Sequence, residues 1–563
     1  MTEKINLTQQ QLDANGNSKY AIFLPAISGF YSGYVGKQRH AQHVEAARIP
    51  TMFEHGIEGL NFLNPDEGYF QYKWGLYSAG HANLDTTKFD SSEEMIRTRS
   101  KDSFILGDSG GFQIGKGVWE GDWRAGSGCA KAQLKREQVL DWMESYMNYG
   151  MTLDIPGWVG RSAKGSAATK ITTYQEAVDA SKFNFEYWMK HRRGNCKFLT
   201  VLQGDTHTQA DQWYDEMKKY CDPKQFPNDH FNGWAMGSQN KCDIHLILRR
   251  LVIMIWDGLL NEGEQDWIHY LGTSKLEWAM MFTDIQQAVR KYHNPKLSIS
   301  FDCASPFLAT ANGQVYWQNN LDDGGRWSYQ MSKCIDDKKY ANDTRMFRDV
   351  MIDDHYFESF IESPIIDRMH INDVCVYGPT DVNKIGKIGR TSWDSFAYAL
   401  LMGHNVYAHI KAVQDGNVLY DNGVIPEMLL DKMKPRRAFR QLVDAIFSAK
   451  TRGEALALVD SESKWYLAMP GSSANGMLGV KTLNSLTMAS EHFSIEAQPK
   501  AKPAPKVETS MVQSSAFEIE SPAKKKHVIK QNGKPRTKLV DIFARDDSGL
   551  NEAKLTRLEE SEE

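Results

Sequence analysis

Short apolar runs alternate with longer amphipathic segments from about residue 20 to about residue 310. The apolar runs look like strands and end at or next to Gly, Asp, Gln or Ser: AIFLPAI, SFILGD, GMTLDIP, KFLTVLQGD, FNGWAMGS, WIHYLGTS and KLSISFDCAS. The segments between them have helical spacing, as in KREQVLDWMESYMNYG and KLEWAMMFTDIQQAVRKYH. Apolar strands that alternate with amphipathic helices predict a parallel sheet covered on both faces.

The number of these units narrows the fold class. Seven or eight strand–helix units in roughly 300 residues predict an α/β fold of the (β/α)8 TIM-barrel type. Such a barrel holds its active site at the carboxyl ends of the strands, which is where the polar ends of the runs would lie. A doubly wound open sheet has the same local pattern and is the alternative.

The C-terminal part of the chain has a different composition. Residues 360–490 are mostly helical in pattern, and after about residue 494 the chain is rich in Pro, Lys and Ser, which is typical of a disordered linker. Basic residues cluster at Lys190–Arg193, at Lys434–Arg440 and in the tail at Lys524–Lys538. The net charge of −5 gives no general nucleic-acid signature, so any contact with phosphates must come from such local patches.

Several features predict a soluble, cytoplasmic protein with no membrane partner. The seven cysteines are odd in number and scattered, which is typical of reduced thiols. The N-terminus is polar and lacks the apolar core of a signal peptide. The longest apolar stretch, LVIMIWDGLL, is too short to span a bilayer and contains Asp257.

The run SFILGD leads into a turn with the sequence GDSGGFQ, from Gly107 to Gln113. GDSGG invites comparison with the nucleophile loop of chymotrypsin-like serine proteases. Those enzymes are antiparallel β-proteins in which a His and an Asp precede the Ser in the chain. Here the surroundings have an α/β pattern and no comparable histidine segment precedes the turn. This context argues against a protease, and the alternative is that Asp108 rather than Ser109 carries the chemistry of the turn.

DSGGFQ is a signature of the tRNA-guanine transglycosylase superfamily, which this chain resembles over about residues 20–410. Five further segments are similar to segments of that family in the same order: TLDIPGW, VLQGD, WAMGSQ, YLGTS and FDCASPFLATANGQVYW. The resemblance implies a (β/α)8 enzyme that exchanges guanine in a nucleic acid for a modified base.

The resemblance also implies roles for individual residues. Asp302 would be the nucleophile and Asp108 the general acid and base, because two carboxyls can exchange a base with retention through a covalent ester. Asp154 and Gln203 would hydrogen-bond the edges of guanine, and Phe112 would cover its face. The full set implied to bind the substrate is Ser109, Gly110, Gly111, Phe112, Asp154, Gln203, Gly204, Gly237 and Ser238.

The zinc motif of the family, C-x-C-x2-C with a distant His, is altered here. The matching stretches MHINDVCVYG and LLMGHNVYAHI keep His370, Cys375 and His404, and mixed His and Cys ligands suit a structural zinc ion. Asn372 stands at another ligand position, and Asp373 is a candidate fourth ligand. The alternative is that these histidines only pack and hydrogen-bond.

A second departure concerns the polymer. The arginines of the family's TRSGR segment are absent from FLATANG, Phe307–Gly313, so cationic contacts to RNA are missing. The chain resembles a branch of the superfamily that inserts 7-deazaguanine derivatives into the DNA of phages and some bacteria. The expected partners are DNA and a free base such as 7-cyano-7-deazaguanine, in the host cytoplasm if the chain is encoded by a phage.

Three other functions stay open at this point. The chain could act on tRNA through different contact residues, hydrolyse the base without replacing it, or bind nucleic acid as a non-catalytic subunit. The presence of both Asp108 and Asp302 argues against the last of these. The tRNA enzymes commonly pair, so a homodimer is also open. The predicted domains are a barrel at 1–410 with a zinc subregion at 365–410, a helical extension at 411–493 and a disordered tail at 494–563.

Overall fold

The computed structural model describes residues 18–37, 46–87, 95–376, 393–432, 434 and 437–472. In this part of the chain, eight strands form one parallel sheet surrounded by helices. The strands, β1 to β8, are Ile22–Pro25, Trp74–Ser78, Phe104–Asp108, Tyr149–Met151, Lys197–Leu202, Gly233–Met236, Trp267–Tyr270 and Ser298–Cys303. Each of the seven predicted runs overlaps one strand, and the strand that the sequence pattern missed is β2.

The sheet curls into a barrel. Its strand order is β1-β8-β7-β6-β5-β4-β3-β2, so that β8 returns to pair with β1. A parallel bridge joins Ala26, just after β1, to Leu76 of β2, and the N–H of Ile27 donates to the carbonyl of Leu76 at 2.9 Å. This bridge brings the two ends of the sheet together. The (β/α)8 prediction is therefore confirmed at the level of the fold, and the open-sheet alternative is not.

Large aromatic side chains fill the amino end of the barrel. The ring of Trp267 on β7 lies 4.5 Å from that of Phe104 on β3 and 5.2 Å from that of Tyr149 on β4, measured between centroids. Side chains alternate along a strand, so residues two or four positions later face the same interior. The aromatic layer therefore closes one end, and polar inward-facing residues such as His269 lie nearer the other.

Helices cover the outside of the barrel and continue beyond it. The helices α1 to α15 are Gly29–Lys37, Gly111–Lys116, Ala130–Tyr146, Ala163–Thr169, Tyr174–His191, His207–Met217, Gln239–Cys242, Ile244–Trp256, Leu276–Tyr292, Ser305–Ala311, Phe347–His355, Ser395–Asp421, Phe439–Ser448, Arg452–Ser461 and Ser463–Ala468. An antiparallel hairpin of β9 (Gln314–Asn320) and β10 (Ser328–Lys333) follows α10. None of the described helices is long and apolar enough to cross a membrane.

The long helix α12 packs directly on the barrel. Its His409 stacks on Phe23 of β1 with ring centroids 4.4 Å apart. Farther along, Asn417 accepts a hydrogen bond from the hydroxyl of Thr283 on α9 at 3.0 Å. The helix is continuous across residue 410, so the predicted boundary between barrel and helical extension falls inside one packed helix.

All seven cysteines lie in the described part of the chain and are free thiols, as the sequence predicted. The predicted disordered tail at 494–563, including Lys524–Lys538, lies outside the described residues.

Candidate active site at the mouth of the barrel

The two carboxylates predicted to be catalytic lie at the same end of the barrel. Asp108 is the last residue of β3, and Asp302 is the last but one of β8. Phe104 of the aromatic layer is four positions before Asp108 on the same strand, so both side chains face the interior. The carboxyl ends of the strands are where (β/α)8 barrels hold their active sites.

A chain of hydrogen bonds holds the carboxylate of Asp302. Its Oδ1 accepts from the backbone N–H of Gly272 at 2.7 Å and lies 3.1 Å from Nε2 of His269. The other ring nitrogen, Nδ1, lies 2.9 Å from the hydroxyl of Ser300, which accepts from Nε1 of Trp267 at 2.8 Å. Because the indole N–H can only donate, the Ser300 hydroxyl can give its own hydrogen to Nδ1. A neutral His269 then carries its hydrogen on Nε2 and donates it to Asp302.

Asp108 is held from the neighbouring strand. The hydroxyl of Ser78 donates to Oδ2 of Asp108 at 2.6 Å, and the backbone N–H of Gly110 donates to Oδ1 at 3.3 Å. Ser78 is the last residue of β2 and pairs with Asp108 in the β2–β3 register. Sequence reasoning named neither Ser78 nor His269. One sequence signal could have found them, because each is a polar residue on the same strand face as an inward-facing Trp. Ser78 comes four positions after the Trp of WGLYS, and His269 comes two positions after the Trp of WIHY.

Asp154, Gln203 and Ser238 form a second, buried chain of hydrogen bonds. Nε2 of Gln203 donates to Oδ2 of Asp154 at 2.8 Å, and the hydroxyl of Ser238 donates to Oε1 of Gln203 at 2.5 Å. These residues follow β4, β5 and β6, so neighbouring strands bring them together. Ser238 has a φ of +48°, which non-glycine residues rarely adopt and which is found disproportionately at functional sites.

Near neutral pH, Asp154 is present in both its protonated and its charged form. Burial, which is the largest cause, and the nearby carboxylate of Asp108 together raise its pKa from 3.8 to about 7, although the hydrogen bond from Gln203 lowers it. A partner that donates N–H groups therefore selects the charged carboxylate. A partner that offers only acceptors selects the neutral acid.

Glycines allow the backbone of the turn to approach these groups closely. A Cβ on Gly111 would lie 2.6 Å from the carbonyl oxygen of Asp154, and one on Gly237 would lie 2.9 Å from Nε2 of Gln203. Gly110 has a φ of +79°, which is a left-handed conformation that glycine adopts at little cost. A side chain at Gly110 would therefore strain the backbone of the turn, and one at Gly111 would displace Asp154. A side chain at Gly237, directly after β6, would displace Gln203.

Ser109 and Gly204 contact protein rather than the mouth of the barrel. The hydroxyl of buried Ser109 donates to the carbonyl of Thr152 at 3.2 Å, which ties the turn to the segment after β4. Gly204 has a φ of +127°, and a Cβ there would lie 2.4 Å from the backbone nitrogen of Ala210 in α6. These two predicted substrate residues therefore shape the loops through packing and backbone geometry.

Phe112 lies beside a second aromatic residue and a cation. Its partly exposed ring is 5.9 Å from that of Trp158, and Nζ of Lys116 lies 5.1 Å from the Phe112 centroid. Flat faces with an adjacent positive charge suit stacking of nucleic-acid bases near a phosphate backbone.

Gly111→Ala tests the close packing of the turn. The added methyl would overlap the Asp154 carbonyl, and overpacking of this kind costs about 1–3 kcal/mol. We expect the free energy of unfolding in urea to fall by that amount. Gly453→Ala in α14 is the matched control, because a Cβ there meets nothing within 4 Å and alanine favours the helix. Equal stability of the two variants would contradict the packing.

The residues predicted to bind zinc, His370, Cys375 and His404, do not fit a metal ion. His404 is fully buried, with Nδ1 2.8 Å from the hydroxyl of Ser363 and Nε2 2.8 Å from the carbonyl oxygen of Tyr316. Burial lowers the pKa of His404 to about 4, and a neutral ring satisfies both partners by accepting at Nδ1 and donating at Nε2. Protein groups therefore satisfy both ring nitrogens of His404. The described His, Cys, Asp and Glu side chains that lie close enough together to hold an ion do not include these three residues.

A different group has the spacing of metal ligands. His207, Asp243 and His245 each offer one ligand atom, and these atoms all lie within 4.8 Å of one another. Among the described residues, no other group of three His, Cys, Asp or Glu side chains lies close enough together to hold an ion. It lies at the starts of α6 and α8, and sequence reasoning did not single it out.

A scan against models of known protein families finds no match to the chain, and a search of the curated proteins finds none. The fold and the site define the chain as a (β/α)8 protein with two carboxylates and a buried polar chain at the barrel mouth.

Proposed function

We propose that this chain is a guanine transglycosylase that exchanges guanine in DNA for a 7-deazaguanine base. The observation that carries the proposal is the placement of Asp108 and Asp302 at one barrel mouth, held by Ser78 and His269 respectively. Beside Asp108, the hydrogen-bonded side chains of Asp154, Gln203 and Ser238 offer donors and acceptors in a buried setting. Such a setting suits a flat base with N–H and carbonyl groups along its edges.

Two displacements at C1′ of the sugar account for exchange with retained configuration. In the first, an oxygen of Asp302 bonds to C1′ as the C1′–N9 bond breaks, and the departing guanine takes a proton from Asp108. In the second, the arriving base gives its N9 proton to Asp108 and bonds to C1′ as the ester to Asp302 breaks. In a duplex substrate the nucleotide must first leave the stack.

The hydrogen bonds of Asp302 assign different tasks to its two oxygens. Both protein donors, Gly272 and His269, contact Oδ1. Within the described residues no group donates to Oδ2, which is the oxygen that we assign to the attack on C1′. His269 is therefore a positioning residue, which orients the carboxylate without contacting the reacting carbon.

Base recognition is assigned to Asp154 and Gln203. The N1–H and N2–H groups of guanine donate to the Asp154 carboxylate. One hydrogen of the Gln203 amide binds Asp154, and the other is left to donate to the guanine carbonyl. Gly237 is in the set that the resemblance implied to bind the substrate, but its backbone N–H donates to the carbonyl of Leu202 at 2.8 Å.

The segment Phe307–Gly313 supports DNA rather than tRNA as the polymer. Most of it forms α10, where Phe307 packs edge-on against Tyr31 and Thr310 accepts from the side chain of Asn405 at 2.9 Å. A buried helix of this kind offers no cation to a nucleic acid. The RNA contacts that the resembling tRNA enzymes make from this segment are therefore absent.

In two of the basic stretches, described arginines form ion pairs within the protein. Arg193 forms an ion pair with Asp141 at 2.6 Å, and Arg437 forms one with Glu462. Pairing of this kind leaves less charge for phosphates. We therefore assign the main phosphate contact of the DNA to the third stretch, Lys524–Lys538.

Mass spectrometry of nucleosides tests the enzyme and its polymer together. Plasmid DNA and tRNA are each incubated with the protein and 7-cyano-7-deazaguanine, and then digested to nucleosides. A 7-deaza nucleoside in the DNA alone is the expected result. The same product in tRNA alone would overturn the choice of polymer. Release of guanine without insertion would identify a hydrolase, and binding without either product would identify a non-catalytic subunit.

His269→Ala tests the positioning of Asp302. Loss of the imidazole frees the carboxylate to turn, and small misplacements of a reacting group cost about a hundredfold in rate. We expect kcat to fall by about that factor with little change in KM for the free base. His269→Gln keeps an N–H donor near the position of Nε2 and should recover most of the rate. A loss confined to KM, or one equal in both variants, would contradict the role.

A further inference from the structure

The loops after β5 and β6 carry a second cluster of polar side chains, outside the residues assigned to catalysis. Nε2 of His207, the first residue of α6, lies 3.0 Å from Oδ2 of Asp243, which caps α8. The ring of His245 is parallel to that of His207, with centroids 5.3 Å apart and an interplanar angle of 2°. Two imidazoles and a carboxylate thus converge with ligand atoms within 4.8 Å of one another.

His245 has one ring nitrogen bound and one without a partner. Nε2 lies 2.7 Å from Oδ1 of Asp460 on α14, so the imidazole is oriented by a carboxylate. Nδ1 is buried and has no hydrogen-bond partner among the described residues. Only 8% of His245 is exposed, so water does not readily replace the missing partner. A buried nitrogen without a partner is costly, and a metal ion is one group that would satisfy it.

The remaining contacts of the cluster agree with a ligand role. Oδ1 of Asp243 accepts from the backbone N–H of Leu246 at 3.0 Å, which leaves Oδ2 directed toward His207. The His207–Asp243 hydrogen bond can form without a metal ion. It does not account for the unpartnered Nδ1 of His245 or for the parallel approach of the second ring.

We propose that His207, Asp243 and His245 bind a divalent transition-metal ion, with zinc as the preferred ion. Two His nitrogens and one carboxylate oxygen are ligands that zinc accepts, and three protein ligands leave a fourth position for water. Asp460 holds the imidazole of His245 from behind, in the carboxylate–histidine–metal arrangement that fixes the coordinating nitrogen. This site shares no residue with the set predicted from the sequence.

The position of the site defines its role. α6 begins four residues after Gln203, and α8 begins six residues after Ser238, so the ion would tie together the two loops that carry the buried polar chain. Asp460 extends this link to α14 in the helical region. The ion therefore acts as a structural clamp on one wall of the candidate pocket. Metal binding is independent of the proposed exchange reaction, so either proposal can fail without the other.

Metal titration of the purified full chain tests the site. After chelation and dialysis, zinc is added in competition with a chromophoric chelator, and cobalt is added in parallel to read its visible absorption. We expect one tight zinc ion per chain, a tetrahedral cobalt spectrum and a higher Tm with zinc. Absence of tight binding by the wild-type chain would overturn the proposal.

Four variants locate the ion. His245→Ala and His207→Ala should each weaken zinc binding by at least about a hundredfold and abolish the Tm shift. Asp460→Asn changes a largely exposed carboxylate and should weaken binding by about 10–100-fold, as expected for a residue that orients a ligand. Since the exposed position of Asp460 makes misfolding a poor explanation, this variant keeps the test decisive if the others unfold. His370→Ala, from the sequence-predicted set, should bind zinc like wild type. If His370→Ala lost zinc while the other three variants kept it, the assignment of the ligands would be overturned.

Discussion

Asp302→Asn is expected to abolish base exchange. The amide cannot form the covalent ester with C1′, and loss of a nucleophile costs at least about a thousandfold in kcat. The substituted side chain has nearly the same size, and its oxygen can still accept from Gly272 and His269, so the fold should be kept. Exchange is measured by incorporation of labelled guanine into DNA, and folding is measured by Tm.

A trapping experiment gives this prediction a second readout. Wild-type protein quenched with DNA under denaturing conditions should carry a covalent DNA adduct, which Asp302→Asn should lack. Asp229→Asn is the matched control, since this exposed Asp lies in the loop before β6, at the opposite end of the barrel. Full exchange activity in Asp302→Asn, or an adduct that persists in it, would contradict the assignment of the nucleophile.

Binding of guanine is expected to strengthen as the pH rises toward 7. The pKa of Asp154 in the free protein is about 7, raised first by burial and then by Asp108. The N–H groups of guanine require the charged carboxylate, so below that pH binding must first remove a proton. Affinity should then rise about tenfold per pH unit and level off above pH 7. Calorimetry in buffers of different ionisation enthalpy measures both the affinity and the proton released.

The stability of the free protein should depend on pH with the opposite sign. Because the pKa of Asp154 is raised from 3.8 to about 7 by folding, the folded chain favours the protonated acid. This contribution is fully present below pH 3.8 and is lost as the pH rises through 7.

Asp154→Asn tests whether the pH dependence of guanine affinity and that of stability come from the same carboxyl group. It should remove both pH dependences and weaken guanine binding, because an amide N–H would face the N–H groups of the base. The Asp229→Asn control should leave both profiles unchanged. A guanine affinity in wild type that is flat between pH 5 and 8 would show that Asp154 does not receive the base.

Much of the barrel could be predicted from local pattern. Seven apolar runs overlap seven of the eight strands, and the polar residues at the ends of these runs predicted that Asp108 and Asp302 lie at the barrel mouth. The strand β2 was missed because WGLYS follows a long irregular stretch, in which the described residues after α1 form only short 3-10 helices, and Ser78 was missed with it. The DSGGFQ turn, with its thin backbone, was also readable, since glycine tolerates conformations and close approaches that other residues do not.

The sequence by itself determined the order of strands and helices and the polar ends of the strands, because burial and backbone preference act over a few neighbouring residues. The tertiary structure decided which side chains meet: His269 with Asp302, Gln203 with both Asp154 and Ser238, and His207 with Asp243 and His245. It also decided that His404, spaced like a metal ligand, is satisfied by Ser363 and Tyr316 instead. Such partners lie far apart along the chain. Closure of the sheet and packing of helices select them, and spacing in sequence carries no information about those distances.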